Sequence, residues 1–110
     1  MHKILVVDDQ ENIRQLYKLR LENFGFEVFQ AENGVKALNA VYDTVFDLII
    51  VDAMMPEMDG FQLISELRSQ GFLVPVIMIV GMLPESTKGR APNSDRIIQD
   101  RATMTKPSLA

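Results

Sequence analysis

The chain contains no cysteine, which excludes disulfides, zinc–thiolate centres and thiol redox chemistry. No apolar run approaches the roughly 18 residues that a transmembrane helix needs, and the N-terminal residues do not form a signal-peptide pattern. The formal charge of −4 at pH 7 offers no basic surface to nucleic acid, and no glycine-rich phosphate loop is present. Together these features predict a cytoplasmic protein that binds neither nucleic acid nor membrane directly.

Apolar runs and amphipathic segments alternate regularly along the first 80 residues. Continuous apolar runs are typical of strands covered on both faces, and a 3.6-residue period between them indicates helices. A chain of 110 residues suffices for one domain, residues 1–110, with a single core. The predicted strands are Lys3–Val7, Glu27–Ala31, Asp47–Val51 and Val76–Val80, and the predicted helices are Glu11–Asn23, Val35–Thr44 and Gly60–Gln70.

The helix boundaries carry residues that suit them. Asp9 and Asp59 stand where an N-cap side chain accepts a backbone hydrogen bond, and Asn33-Gly34 opens the second helix. Gly25 and Gly71 stand where left-handed helix ends are expected. The predicted apolar stripe of the first helix is Ile13, Leu16, Tyr17, Leu21 and Phe24.

The pattern weakens after Gly81. Residues 82–94 contain two prolines and one glycine, which is typical of a long loop. A short helix is predicted to end near Arg101, and Ala102–Lys106 is a weak candidate for a fifth strand. The alternation as a whole predicts an α/β fold with a doubly wound, five-stranded parallel sheet and an irregular C-terminal part.

Three aspartates follow two of the predicted strands. Asp8 and Asp9 come directly after Ile4–Val7, and Asp52 follows Leu48–Val51. Ligands of parallel sheets bind at the carboxyl ends of the strands, so these carboxylates are expected to share one site. Two carboxylates about 4 Å apart repel by roughly 4 kcal/mol at an effective dielectric near 20, so three of them favour a bound cation.

Oxygen ligands of this kind suit Mg²⁺. A carboxylate beside the ion can attack phosphorus and form an aspartyl-phosphate, and Lys106 is placed to neutralise charge on the transferring group. The structural alternatives are ordinary ones. A single Asp is often a helix cap or a turn former, a single Lys is often a surface residue, and Arg14, Lys18 and Arg20 are interpreted as a solvated helix face.

Five segments together resemble the receiver domain of two-component response regulators. They are Ile4–Asp9, Ala31–Gly34 with Ala37-Leu38, Asp47–Gly60, Pro75–Met78 and Thr105–Pro107. The resemblance implies a flavodoxin-like fold with strand order 2-1-3-4-5, in which Asp52 accepts a phosphoryl group from a histidine kinase. It further implies that Asp9, Asp52 and the backbone carbonyl of Met54 bind Mg²⁺, that Asp8 acts through water, and that Lys106 contacts the phosphoryl oxygens.

The chain departs from the family pattern at two switch positions. Val80 stands where the family usually has Ser or Thr, and Thr103 stands where it often has Tyr or Phe. Valine cannot donate a hydrogen bond, and one bond to a charged group contributes roughly 1.5–3 kcal/mol. We therefore expect phosphorylation to be less strongly coupled to the active conformation.

The family continues past Lys106-Pro107 into a fifth helix, of which only Ser108–Ala110 could form part here. Because both faces of a parallel sheet must be covered, we predict either a homodimer or a piece of a longer protein with an output domain. Light scattering tests the first expectation. A downstream partner protein is the other expected route of output.

Three functions compete at this point. The first is a phosphoacceptor receiver, which at most catalyses its own phosphorylation and dephosphorylation. The second is a pseudo-receiver that signals through protein contacts without regulated phosphorylation, as Val80 and Thr103 suggest. The third, a phosphatase or phosphotransferase of small substrates, needs a general acid that Met54 cannot supply.

Overall fold

The computed structural model describes residues 1–80 and the strand at residues 96–100. Its strands are β1 (Lys3–Val7), β2 (Glu27–Ala31), β3 (Leu48–Asp52), β4 (Val76–Val80) and β5 (Arg96–Asp100), and its helices are α1 (Glu11–Asn23), α2 (Gly34–Asp43) and α3 (Gly60–Ser69). Within that part of the chain, no helix is long and apolar enough to cross a membrane.

The sheet has the order β2-β1-β3-β4-β5. The first four strands are parallel, as the sequence predicts, and β1 lies between β2 and β3. The register pairs Val7 with Val51, and it pairs Asp52 with Ile79. The carboxyl ends of β1, β3 and β4 therefore meet at one edge of the sheet.

The fifth strand differs from the prediction. Residues 96–100 form a strand that runs antiparallel to β4, so the short helix predicted to end near Arg101 is wrong. A parallel neighbour needs a crossover of a dozen or more residues, usually a helix, whereas an antiparallel neighbour needs only a return loop. The residues between β4 and β5 carry proline and glycine rather than a helical pattern. The predicted strand Ala102–Lys106 lies outside the described residues.

The two faces of the sheet carry separate apolar clusters. The larger cluster lies between the sheet and helices α2 and α3, and its fully buried members include Leu5, Ile49, Val51, Leu63 and Leu67. The smaller one is built on Ile4, Val6, Val28 and Ile50, against which Tyr17 and Leu21 of α1 pack. The two-faced burial explains why β1 and β3 are continuously apolar.

Of the two predicted caps, Asp59 is confirmed and Asp9 is wrong, and the structure adds a cap at Asn33. The Asn33 side chain accepts from the Lys36 N–H, and Asp59 forms a capping box with Gln62. The N-cap of α1 is Gln10, without a side-chain hydrogen bond, rather than Asp9. Asp9 lies one residue too early in the chain to reach the first turn, and it stays at the edge of the sheet with its neighbouring carboxylates.

The predicted apolar stripe of α1 is only partly buried. Tyr17 and Leu21 pack on the sheet, but Leu16 is 47% exposed and Phe24 is 78% exposed. Since α1 covers only the β1 and β2 side of this face, side chains at the margin of the stripe remain in water. The predicted left-handed ends at Gly25 and Gly71 are confirmed, with φ of 93° and 88°.

Candidate functional site

Asp8, Asp9 and Asp52 converge at the carboxyl edge of the sheet. Asp8 and Asp9 follow β1, Asp52 ends β3, and these two strands are hydrogen-bonded neighbours. One carboxylate oxygen from each residue lies within 4.8 Å of the others. Asp8 is buried, Asp52 is half-buried and Asp9 is exposed, so the cluster opens to solvent on the Asp9 side.

Asp8 is held at three points. Its N–H donates to the Ala31 carbonyl at 3.1 Å, its Oδ1 accepts from the Gln10 N–H at 2.9 Å, and its carbonyl accepts from Arg14 Nη1 at 2.8 Å. The Gln10 bond is an Asx turn, which fixes the chain as it leaves β1. The buried carboxylate therefore has a defined direction.

The electrostatic environment of Asp8 disfavours its ionised form. Burial is the main cause that raises the pKa of Asp8 from 3.8 to about 6, against the lowering effect of the Gln10 N–H. The nearby charges of Asp52 and Asp9 raise it further. Without a cation, the cluster therefore holds more negative charge than its surroundings stabilise.

The loop after Asp52 folds back over the end of β3. The Met54 N–H donates to Asp52 Oδ1 at 3.1 Å, and the Gly60 N–H donates to the Ala53 carbonyl at 3.0 Å. Glu57 adopts a left-handed φ of 71°, which is costly for a residue with a side chain. The Met54 N–H orients the Asp52 carboxylate, and the Gly60 N–H places the start of α3 directly against the backbone at the end of β3.

Gly60 permits this close approach. A Cβ atom at Gly60 would lie 2.9 Å from the Asp52 carbonyl oxygen and 3.0 Å from Ala53 Cα. Both of those atoms belong to the backbone, so neither can move without shifting the end of β3. The structure thus gives Gly60 a steric role in the site beyond easing the start of a helix.

We predict that Gly60→Ala destabilises the protein by about 1–2 kcal/mol, because overpacking against backbone exceeds the gain in helix propensity. The free energy of unfolding, from urea titration followed by circular dichroism, measures this change. Ser65→Ala at an exposed position of α3 is the matched control. A Gly60→Ala variant as stable as the parent, as helix propensity alone would give, contradicts the prediction.

A cleft of about 480 Å³ lies beside the aspartates on the Asp9 side. Its walls come from the β1–α1, β2–α2 and β3–α3 connections, and it opens to solvent. The lining residues are Asp9, Glu11, Arg14, Glu32, Asn33, Pro56 and Glu57. The acidic lining extends the negative character of the site outward.

The other residues predicted for the site have different outcomes. Val80 ends β4, directly after the Ile79 that pairs with Asp52, and is half-buried. Lys106 and Thr103 lie outside the described residues.

Sequence reasoning missed Arg14, which was assigned to a solvated face but is half-buried against Asp8. Its place in the first turn after the two aspartates was the available signal.

The donor set of the cluster fits a hard divalent cation. Three carboxylates lie within reach of one another, and oxygen ligands of this kind are those that Mg²⁺ binds in proteins. After burial, the charges of Asp52 and Asp9 also raise the pKa of Asp8, and a cation bound among the three carboxylates would offset this repulsion.

A family model of the response regulator receiver domain matches residues 4–95. The chain is 38% identical over 86 residues to the alkaline phosphatase synthesis transcriptional regulatory protein PhoP of Bacillus subtilis, covering 78% of this chain and 36% of PhoP. The transcriptional regulatory protein SrrA of Staphylococcus aureus is 37% identical over 87 residues, covering 79% of this chain and 36% of SrrA. The chain thus spans about a third of the length of these curated relatives.

The fold is similar to that of three solved structures. The chemotaxis protein CheY4 of Vibrio cholerae gives a TM-score of 0.71 at 34% identity, covering 84% of this chain and 78% of that one. The response regulator TrrA of Thermotoga maritima, solved in complex with Mg²⁺-BeF, gives 0.66 at 34% identity, covering 82% and 76%. One chain of a complex between the histidine kinase ThkA and TrrA gives 0.67 at 40% identity, covering 71% and 67%.

Proposed function

This chain belongs to the response regulator receiver domain family, and we propose that Asp52 accepts a phosphoryl group from the phosphohistidine of a histidine kinase. The main support is the convergence of Asp8, Asp9 and Asp52 within 4.8 Å at the carboxyl edge of the sheet. Receiver domains are signalling modules rather than enzymes in the ordinary sense. Any chemistry proposed here is limited to the domain's own phosphorylation and dephosphorylation.

The proposed step is a transfer between two nucleophiles. An oxygen of the Asp52 carboxylate forms a bond to phosphorus while the bond from phosphorus to the histidine nitrogen breaks. The electron pair of the broken bond stays on that nitrogen, and the product on this chain is an aspartyl-phosphate. The Met54 N–H holds the carboxylate in one orientation for this attack.

We propose that Asp9, Asp52 and the backbone carbonyl of Met54 bind Mg²⁺, with Asp8 acting through a water molecule. When bound, the ion neutralises the negative charge of the phosphoryl group as it approaches the carboxylates. Burial of Asp8 on the apolar side keeps bulk water from that part of the cluster.

Two further roles follow from the family pattern. We propose that Lys106 contacts the phosphoryl oxygens, and that Val80 and Thr103 weaken the usual coupling between phosphorylation and conformation. The position of Val80 in the sheet supports its role, because the preceding residue Ile79 pairs with Asp52. Lys106 and Thr103 rest on the sequence pattern alone.

The proposed partners are a histidine kinase and a downstream target. The complex of ThkA with TrrA is one related example of such a pairing. The formal charge of −4 disfavours direct contact with nucleic acid, so we propose that output passes through a partner protein or a separate output domain. The homodimer predicted from the sequence stays a prediction, as does the assignment of residues 1–110 to one domain.

Intact-mass spectrometry tests the proposal. The protein is incubated with Mg²⁺ and acetyl phosphate or phosphoramidate, and we expect an increase of about 80 Da, the mass of one phosphoryl group. Asp52→Asn should show no increase, because its amide is a poor nucleophile. Asp43→Asn, an exposed aspartate at the end of α2, is the matched control and should be modified like the parent.

The other outcomes identify the alternatives. A folded parent that neither gains mass nor binds Mg²⁺ would indicate a pseudo-receiver. An adduct that persists in Asp52→Asn would place the phosphoryl group elsewhere. Continuous release of phosphate from a small phosphate ester would indicate a phosphatase.

A further inference from the structure

We propose that Arg14 is a positioning residue for the cation site, because it fixes the peptide unit that joins Asp8 to Asp9. The inference rests on the proposed function, since it concerns the same carboxylates. It adds a residue of α1 to a site that otherwise consists of strand ends and the loop after β3. The predicted consequence is a weaker affinity for Mg²⁺ when Arg14 is replaced.

The guanidinium of Arg14 connects three elements. Its Nη1 donates to the Asp8 carbonyl at 2.8 Å, and its Nε donates to Gln30 Oε1 at 3.0 Å. Gln30 belongs to β2, Asp8 follows β1, and Arg14 lies in the first turns of α1. Hydrogen bonds from a charged donor are strong, and the rigid planar group of arginine can direct two of them at once.

A hydrogen bond to the Asp8 carbonyl restrains the backbone of Asp9. The orientation of this carbonyl defines the plane of the following peptide, and that plane sets the direction of the Asp9 backbone. The Asp8 N–H is already held by the Ala31 carbonyl of β2. With the carbonyl held by Arg14, the peptide unit cannot rotate without breaking a charge-assisted bond.

The start of α1 has no side-chain cap that would restrain it in place of Arg14. Its N-cap, Gln10, makes no side-chain hydrogen bond to the helix, whereas a Ser, Thr, Asp or Asn cap commonly stabilises a helix by about 1 kcal/mol. Asp9 is exposed and follows the last residue of β1 by two positions. Arg14 therefore restrains the connection that bears the most exposed of the three carboxylates.

The positive charge of Arg14 should lower the affinity for a cation, whereas its positioning role should raise that affinity. Arg14 and Asp9 line the same cleft, so the guanidinium should repel a nearby cation. If charge alone mattered, Arg14→Ala would bind Mg²⁺ more tightly than the parent. If positioning dominates, as we propose, the same variant binds it more weakly, so the sign of the change separates the two effects.

Calorimetric titration with Mg²⁺ alone, near pH 7.5 and at fixed salt, measures the affinity. Residues that orient metal ligands typically change affinity by 10–100-fold, so we expect about a tenfold loss for Arg14→Ala. Arg14→Lys keeps the charge and one donor and should recover part of the affinity. Gln30→Ala, which frees the guanidinium on one side, should shift affinity in the same direction as Arg14→Ala by a smaller factor.

Arg20→Ala is the matched control, because it removes the same charge from an exposed position of the same helix. A second measurement is the Mg²⁺ dependence of the phosphorylation rate. We expect Arg14→Ala to need more Mg²⁺ for half of the maximal rate while the rate at saturating Mg²⁺ stays near that of the parent. A purely structural role would lower stability without this shift.

The outcomes are distinguishable from failure of the proposed function. A parent that neither binds Mg²⁺ nor becomes phosphorylated contradicts the proposed function itself. A parent that binds Mg²⁺ while Arg14→Ala binds it as tightly as Arg20→Ala, or more tightly, overturns the positioning role. If Arg14→Ala does not fold, Arg14→Lys and Gln30→Ala decide, and unchanged affinity in both overturns the proposal.

Discussion

Replacement of Asp8 by asparagine should stabilise the metal-free protein at pH 7 by up to about 3 kcal/mol. Burial raises the pKa of Asp8 from 3.8 to about 6, and each unit of difference corresponds to about 1.4 kcal/mol. The folded state thus binds the proton more tightly than the unfolded chain does. The resulting contribution to stability is complete below pH 4 and is lost as the pH rises through about 6.

Asparagine removes the charge but keeps an oxygen that can accept the Gln10 N–H, so the turn after β1 should survive. The free energy of unfolding is measured by urea titration at several pH values between 4 and 7 in the presence of a chelator. The advantage of Asp8→Asn should be small at pH 4 and should grow towards pH 7. Added Mg²⁺ should then stabilise the parent more than the variant, since a ligand stabilises the state that binds it.

Glu27→Gln, at an exposed position in β2, is the matched control and should show no comparable gain. The prediction fails if the parent and Asp8→Asn differ by the same amount at pH 4 and pH 7. A gain of the same size in Glu27→Gln would show that the general negative charge of the protein is responsible rather than the site.

The second large effect is expected at Val80. Val80→Thr should strengthen the binding of beryllofluoride, a mimic of the phosphoryl group, in the presence of Mg²⁺ by about tenfold or more. Ile79 pairs with Asp52, and its carbonyl accepts the Ala53 N–H at 2.9 Å, so the next residue follows directly at the edge of the site. A hydroxyl there can donate to a charged acceptor, which is a phosphoryl oxygen or the corresponding fluorine of beryllofluoride, and a bond to a charged group contributes roughly 1.5–3 kcal/mol.

Equilibrium titration with beryllofluoride and Mg²⁺, followed by NMR or calorimetry, measures this gain. Val74→Thr, half-buried before β4 at the other end of the strand, is the matched control and should bind as the parent does. Val80→Ala separates the effect of volume from that of the hydroxyl. Equal affinity of Val80→Thr and the parent would show that a donor at this position does not reach the ligand.

The elements that the sequence predicted well are those in which the residue pattern of the segment matches its burial and its neighbours in the fold. The run Ile4–Val7 is apolar throughout because both faces of β1 are covered, and Asn33 and Asp59 cap helices whose first turns follow at once. The convergence of Asp8, Asp9 and Asp52 follows from the same logic, because parallel neighbours bring their carboxyl ends together.

The elements that could not be predicted depend on distant partners. Asp9 matched the preferences of a cap, but the chain turns one residue later at Gln10. Leu16 fitted the apolar period of α1, yet the helix covers only the β1 and β2 side of this face, and Leu16 stays exposed at the margin of the stripe. Arg14 has the pattern of a solvated side chain, and only the arrangement of β2 beside β1 shows what it contacts.

The apolar residues of β5 do not predict the direction of this strand. Ile97-Ile98 suits a strand or a buried helix equally well over so short a length. The sequence before it, which carries proline and glycine, favours an antiparallel neighbour, because such a neighbour requires no crossover helix.

The antiparallel course of β5 sets a limit on chain length for the proposed role of Lys106. The register places Asp100 beside Val76 and Asp52 beside Ile79, so the two levels are three residues apart along β4, about 10 Å at roughly 3.3 Å per residue. The six residues from 101 to 106 cover at most about 20 Å when fully extended. This length exceeds the return along β4, so the register of β5 leaves the proposed contact between Lys106 and the phosphoryl group within reach of the chain.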